Sequence, residues 1–268
     1  MKNFYLFSLL LLPSCLFAQQ KAQIGAYFTA DMPVRSIMPS MSTNAGAGLQ
    51  FAYKPMPRFP MMLELKGSIG AYSHRTLNQT YIFSTNSTTN VNVNYSSSMN
   101  KVLFGTKFHI GHEYKAVRGF ITPQIGAAFM RSRIVIDDPA DADDCRALER
   151  KTTQRSSGFV YGGEAGVEVS MEKLFRGIQT ENKHRLYASV NFMKSFEPFE
   201  YTNVKYMKDH DHMAMPEGSE GTATEDGRAI NTTFINVSTN SLHEHKIAEL
   251  YKTNLQFWGF SIGYVFNF

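Results

Sequence analysis

The closing stretch, residues 256–268 (QFWGFSIGYVFNF), constrains this chain more than any other. Trp258, Phe260, Ile262, Tyr264, Phe266 and Phe268 fall on one face of a period-two repeat, and Phe257, Gly259, Ser261, Gly263, Val265 and Asn267 on the other. Period two is the signature of a strand. One face is uniformly bulky and apolar; the other is mostly small or polar. A strand of a water-soluble sandwich turns its bulky face inward. A strand of a membrane barrel turns bulk toward lipid and small or polar groups toward the interior. One strand does not decide between the two, so the rest of the chain must.

The pattern recurs. Met61, Leu63, Leu65, Ile69 and Ala71 alternate with Glu64, Lys66, Ser68 and Tyr72. Val102, Phe104, Phe108 and Ile110 alternate with Lys101, Lys107 and His109. Ile121, Pro123, Ile125, Ala127 and Phe129 oppose Thr122, Gln124 and Gly126, and Phe159, Tyr161, Ala165, Val167 and Val169 oppose Gly158, Gly162, Glu164, Gly166 and Glu168. Residues 186–196, residues 45–53 and, most weakly, residues 24–30 complete a set of eight. Most approach the roughly 9–11 residues of a tilted spanning strand. The expected fold is therefore all-β: a transmembrane, antiparallel, up-and-down barrel of eight strands, with ten as the alternative.

Connections fit an even-stranded barrel whose turns are short on one side and long on the other. Residues 31–43, 76–95, 137–156 and 197–250 read as long outer loops; residues 55–60 and 111–118 read as short inner turns. Residues 171–185 are longer than an inner turn requires and have room for a helical turn. Within the last loop, residues 200–207 and 232–238 look strand-like. They can form a hairpin above the membrane or the two extra strands of a ten-stranded barrel. Residues 242–251 fit a short helix or the start of the last strand.

The amino terminus, residues 1–18 (MKNFYLFSLLLLPSCLFA), has a positive Lys2, an apolar run and a small residue at its end, as an export signal does. The mature barrel then spans residues 19–268. Leu12-Pro13-Ser14 before Cys15 offers a competing lipoprotein-type reading. Past this segment no apolar run nears the about 20 residues of a spanning helix. Twenty-seven Lys and Arg nearly balance 23 Asp and Glu, and no basic stripe marks a nucleic-acid partner. Two cysteines exclude a disulfide-dense scaffold.

In a barrel of this sense, charges on the small face look into the lumen. Glu64, Glu164 and Glu168 are expected to pair there with Lys66, Lys101 and Lys107, because buried charges need partners. Glycines on that face make room for larger neighbours. No cofactor is expected, since no glycine-rich phosphate loop joins a strand to a helix. His210, Asp211 and His212 are weak candidates for a metal, in a loop where spacing alone says little. Asp137, Asp138, Asp141, Asp143 and Asp144 lack the glycine and closing glutamate of a regular calcium loop.

The ending Tyr264-Val265-Phe266-Asn267-Phe268 resembles the insertion signal of outer-membrane barrels, and with the export signal the whole mature chain resembles the small outer-membrane β-barrel proteins of Gram-negative bacteria. It is most similar in flavour to the OmpA-like and PorT-like barrels of Bacteroidota. The resemblance implies an outer-membrane location, contact with membrane lipids and lipopolysaccharide, a periplasmic chaperone, and an insertase that reads Tyr264, Phe266 and Phe268. It does not imply one function. A structural or interaction barrel, such as a subunit of a cell-envelope complex with a surface protein partner, fits the long 197–250 segment. A narrow channel for small solutes is the alternative. A lipid-modifying enzyme comes third; Ser241, His243, Glu244 and His245 are the residues it would use, but no catalytic set is expected.

Overall fold

The computed structural model describes residues 22–34, 37, 41–56, 59–84, 87–111, 116–137, 147–174, 183–203, 228–236 and 241–268. Among them nine strands follow in order: β1 (Ala22–Pro33), β2 (Asn44–Tyr53), β3 (Met61–Ser84), β4 (Ser87–Ile110), β5 (Val117–Asp137), β6 (Ala147–Ser170), β7 (His184–Asn203), β8 (Arg228–Asn236) and β9 (Ser241–Asn267). One helical turn, Met171–Leu174, follows β6. No described helix is long and apolar enough to cross a membrane.

Each strand from β1 to β6 pairs antiparallel with the next, β7 pairs with β9, and β9 closes onto β1. The result is a closed eight-stranded antiparallel barrel. β8 lies outside the ring and pairs with the upper part of β9. Leu250 pairs with both Thr202 of β7 and Arg228 of β8, so β8 takes the edge of β9 that β1 covers lower down. The barrel therefore does not have ten strands. The segments around 200 and 232 do not pair with each other either; each pairs with β9. Residues 242–251 are strand.

The seam is tight. Phe268 N–H donates to the Ala22 carbonyl at 2.9 Å, and Ala22 N–H to the Phe268 carbonyl at 3.1 Å. Closure leaves no free edge within the ring, which is what hydrocarbon demands of a sheet. One irregularity has a plain cause. The β4–β5 ladder passes from Gly105–Gln124 to Phe108–Ile121, stepping over Pro123, which has no N–H to donate.

The two faces of the wall are chemically opposite. Outside, large apolar groups stand exposed, among them Phe28 at 72% and Ile69 at 70%. Trp258, Phe260 and Ile262 belong to the same belt. Inside, Gln23, Asp31, Glu64, Lys107, Glu168 and Arg185 are all buried. This is the reversed amphipathicity of a membrane barrel, not that of a sandwich.

The strands are taller than the belt. β3, β4 and β6 each have 24 residues, whereas β1 has 12 and β2 has 10. The β2–β3 ladder stops at Ala45–Ala71 and the β6–β7 ladder at Val160–Ser195. Above those levels β3–β6 continue as a four-stranded sheet, away from the end that holds Ala22 and Phe268. Much of what reads as polar loop at 76–95 is thus strand, with β3 and β4 paired up to Ser84–Ser87.

Candidate functional site

Alternation aims side chains from neighbouring strands at one axis. β3 contributes Glu64 and Lys66, β4 contributes Lys107, β5 contributes Arg118 and Gln124, β6 contributes Glu164 and Glu168, and β1 contributes Gln23. All lie in the half of the lumen nearer Ala22 and Phe268, and all are buried.

Their contacts form one network. Lys66 Nζ donates to Glu164 at 2.5 and 2.7 Å and lies 3.6 Å from Glu64. Lys107 Nζ lies 2.6 Å from Glu168 and 3.5 Å from Glu64, and donates to Gln23 at 3.1 Å. Arg118 grips Glu168 through Nε at 2.6 Å and Nη2 at 2.5 Å. Gln124 donates to Glu164 at 2.7 Å, and Gln23 donates to Glu168 at 3.3 Å. Glu64, Glu164 and Glu168 thereby face Lys66, Lys107 and Arg118. The charges balance three against three, which buried ions require, but Glu64 Oε2 and Arg118 Nη2 are buried without a hydrogen-bond partner among the described residues.

Aromatic faces complete the lining. Lys66 Nζ lies 5.5 Å from the Tyr27 ring and 5.4 Å from that of Tyr187, and Lys107 Nζ lies 4.3 Å from that of Phe120. Glycines admit these rings. A Cβ on Gly48 would meet the Tyr27 ring at 2.4 Å, and one on Gly166 would meet Phe120 at 2.6 Å.

Lys101 departs from the expected pairing. It binds Asp31 at 2.6 Å, not a glutamate, and Asn44 donates to the same carboxylate at 3.0 Å. The register places Lys101 beside Ser68 and Ala128, well above Glu64 and Glu168. Asp31, Arg118, Arg185, Gln23 and Gln124 were not among the expected network residues. Gln23 and Asp31 share the parity of Tyr27, so the period-two rule could have found them. Arg118 and Arg185 were missed because they fell in segments read as turns.

Above Lys101 the filling changes. Met99, Met130, Val160, Met193, Phe199, Leu255 and Phe257 belong to an apolar cluster, which Leu103 extends down to the register of Lys66. Ile37 and Met41, from the connection between β1 and β2, are buried in it. Val34 N–H is tied to the Gln256 carbonyl at 2.9 Å, and Met41 N–H to that of Ile37 at 3.1 Å. Higher still, Tyr95 donates to Thr202 at 2.5 Å, and Ser97 and Ser132 lie 2.8 Å apart. The lumen is filled from the charged end to this hydroxyl tier.

Among the described residues no group of three potential ligands could hold a metal ion. His210, Asp211 and His212 lie outside the described residues, as does the run from Asp138 to Asp144. Ser241, His243 and His245 occupy alternate positions of β9, opposite Asn236, Phe234 and Thr232; their side chains are outside the described set. Tyr264 and Phe268 are exposed on the outer wall, the Phe266 and Phe268 rings stack at 6.1 Å, and Tyr264 hydrogen-bonds His184.

The fold and lumen define a β-barrel of the membrane-spanning kind. Among solved structures, Neisserial surface protein A is similar, at 9% identity and a TM-score of 0.37, covering 92% of this chain and 96% of that one. Ail, the attachment invasion locus protein of Yersinia pestis, has 9% identity and a TM-score of 0.36 over 92% and 97%. No protein-family model matches the chain, and no curated protein matches it in sequence.

Proposed function

We propose that the mature chain is an outer-membrane barrel of a Gram-negative bacterium, of the OmpA-like or PorT-like kind found in Bacteroidota. Its role is structural or interactive, as a subunit of a cell-envelope complex. In this reading residues 1–18 direct export, a periplasmic chaperone delivers the chain, and an insertase reads Tyr264, Phe266 and Phe268. The observation that carries the role is the filled lumen beneath a tall wall. Ions fill the lower half, Ile37 and Met41 seat among apolar residues above, and β3–β6 run on past the belt. A conduit needs none of that filling, and a minimal anchor needs none of that wall.

Affinity purification from native membranes in mild detergent tests the role. A stoichiometric surface or envelope protein should co-elute. Elution of the barrel alone, together with single-channel steps of reproducible size in planar bilayers, would favour the solute channel instead.

A further inference from the structure

The outer wall of β5 and β6 changes abruptly at one level. Up to Phe129 and Phe159 the lipid-side positions are apolar and exposed. The next outward position on β5 is Arg131, then Arg133. On β6, Arg155 stands directly opposite Arg131, and Thr152 opposite Arg133. Like charges facing each other across a ladder destabilise it. Arg133 and Arg155 both act on Arg131 as repelling charges.

Nothing in the described wall offsets them. Arg131 and Arg155 are exposed and Arg133 is half-buried. The side-chain bond of Arg131 runs to the Thr152 hydroxyl at 3.1 Å, which carries no charge. None of the three arginines is ion-paired with a carboxylate among the described residues. Ser98 and Ser96 of β4 flank Arg131 and Arg133 in register, so hydroxyls border the cluster. Three of the cations at this level are arginines, whose planar fork suits phosphate oxygens; exposed Lys151, paired with Ile134, adds a fourth positive charge.

Height selects the ligand. A strand rises about 3.4 Å per residue, and a tilt of roughly 40° leaves about 5 Å of lift for two residues. Arg131 therefore sits one small step above the last belt aromatics, where headgroups meet water. We propose that Arg131, Arg133 and Arg155 form a binding site for the phosphate of an outer-leaflet lipid headgroup, with Thr152 as a neutral donor. The proposal rests on the membrane reading above and names one ligand class for it.

The test uses the full mature barrel in phosphatidylcholine bilayers, first scored for insertion by protection of its belt strands from protease. Spin-labelled phosphatidic acid and spin-labelled phosphatidylcholine then report which lipid is immobilised at the wall. Phosphatidic acid should be favoured by about fivefold, as expected for charge-assisted contacts to a phosphomonoester. The combined Arg131→Gln, Arg133→Gln and Arg155→Gln variant should lose that preference, while Lys194→Gln, a cation elsewhere on the outer wall, keeps it. Equal association of both lipids would overturn the site, as would full preference in the triple variant. Loss of preference on adding inorganic phosphate at constant ionic strength would overturn the lipid as its source. Failure of insertion would instead defeat the membrane reading itself.

Discussion

Below the level of Lys101 the barrel holds ions set against the Tyr27, Phe120 and Tyr187 rings; above it, thioethers and hydroxyls dominate. The lower half uses Glu64, Glu164 and Glu168 against Lys66, Lys107 and Arg118, at contact distances down to 2.5 Å. The upper half uses Met99, Met130 and Met193 around Ile37 and Met41. Ionic filling is unforgiving, because removing one partner strands the other. Thioether filling is adaptable, because methionine re-packs around changes of shape. The lower half fixes which strands face each other; the upper half accommodates a folded-in connection. A neutral substitution should therefore be costly in one half and tolerated in the other.

The largest effect is expected at Glu168. Glu168→Gln keeps the volume but leaves both contacts of Arg118 without a counter-charge and Lys107 with only Glu64, at 3.5 Å. A loss of about 3–5 kcal/mol should follow, as for broken buried pairs. Urea unfolding of the barrel refolded into detergent micelles measures it. Adding Arg118→Gln should recover part of the loss. A cost below about 1 kcal/mol, the range of solvated pairs, would mean that water screens the lower lumen.

Gly166 comes next. Gly166→Val would drive a side chain into the Phe120 ring, already within 2.6 Å of an added Cβ, beneath the Lys107 ammonium. Overpacking of this kind costs about 1–3 kcal/mol. The same urea titration reads it, and a neutral result would show that the ring has somewhere to go.

The two halves also differ in how far the sequence reveals them. The charged half was legible because Glu64, Lys66, Lys107, Glu164 and Glu168 stand at strict alternate positions within obvious strands. Barrel closure turns that parity into an inward direction. Partner choice was not legible. Lys101 meets Asp31 because strand stagger sets their heights, and stagger is a property of the assembled ring. The upper half was largely hidden. Val93, Tyr95, Ser97 and Met99 alternate inward, but Asn92, Asn94, Ser96 and Ser98 between them look like loop composition. Ile37 and Met41 carried no periodic signal, since a connection folded into a lumen repeats nothing.

The upper half should show its tolerance at Met130 and Met193. Each is buried in the apolar cluster at 3% exposure. Met130→Leu and Met193→Leu should each cost under about 1.5 kcal/mol, as volume-conserving swaps do. Larger losses would mean that the thioethers are held as rigidly as the ions below, and the contrast between the halves would fail.

The smallest effect concerns the wall itself, at a glycine that faces the other way. Gly67 lies on the outer face between Leu49 and Val102, and a Cβ added there would meet nothing within 4 Å. Gly67→Ala restricts the unfolded chain without strain in the native one, so a gain of about 0.4–1 kcal/mol is expected. Gly166 and Gly67 are both strand glycines; what separates them is the side of the wall they face. In the same micelles the two substitutions should move the unfolding midpoint in opposite directions. If Gly67→Ala instead lowered it, some other surface would have to press on that patch of wall. Comparing the oligomeric state of parent and variant would then show whether that surface is a second barrel.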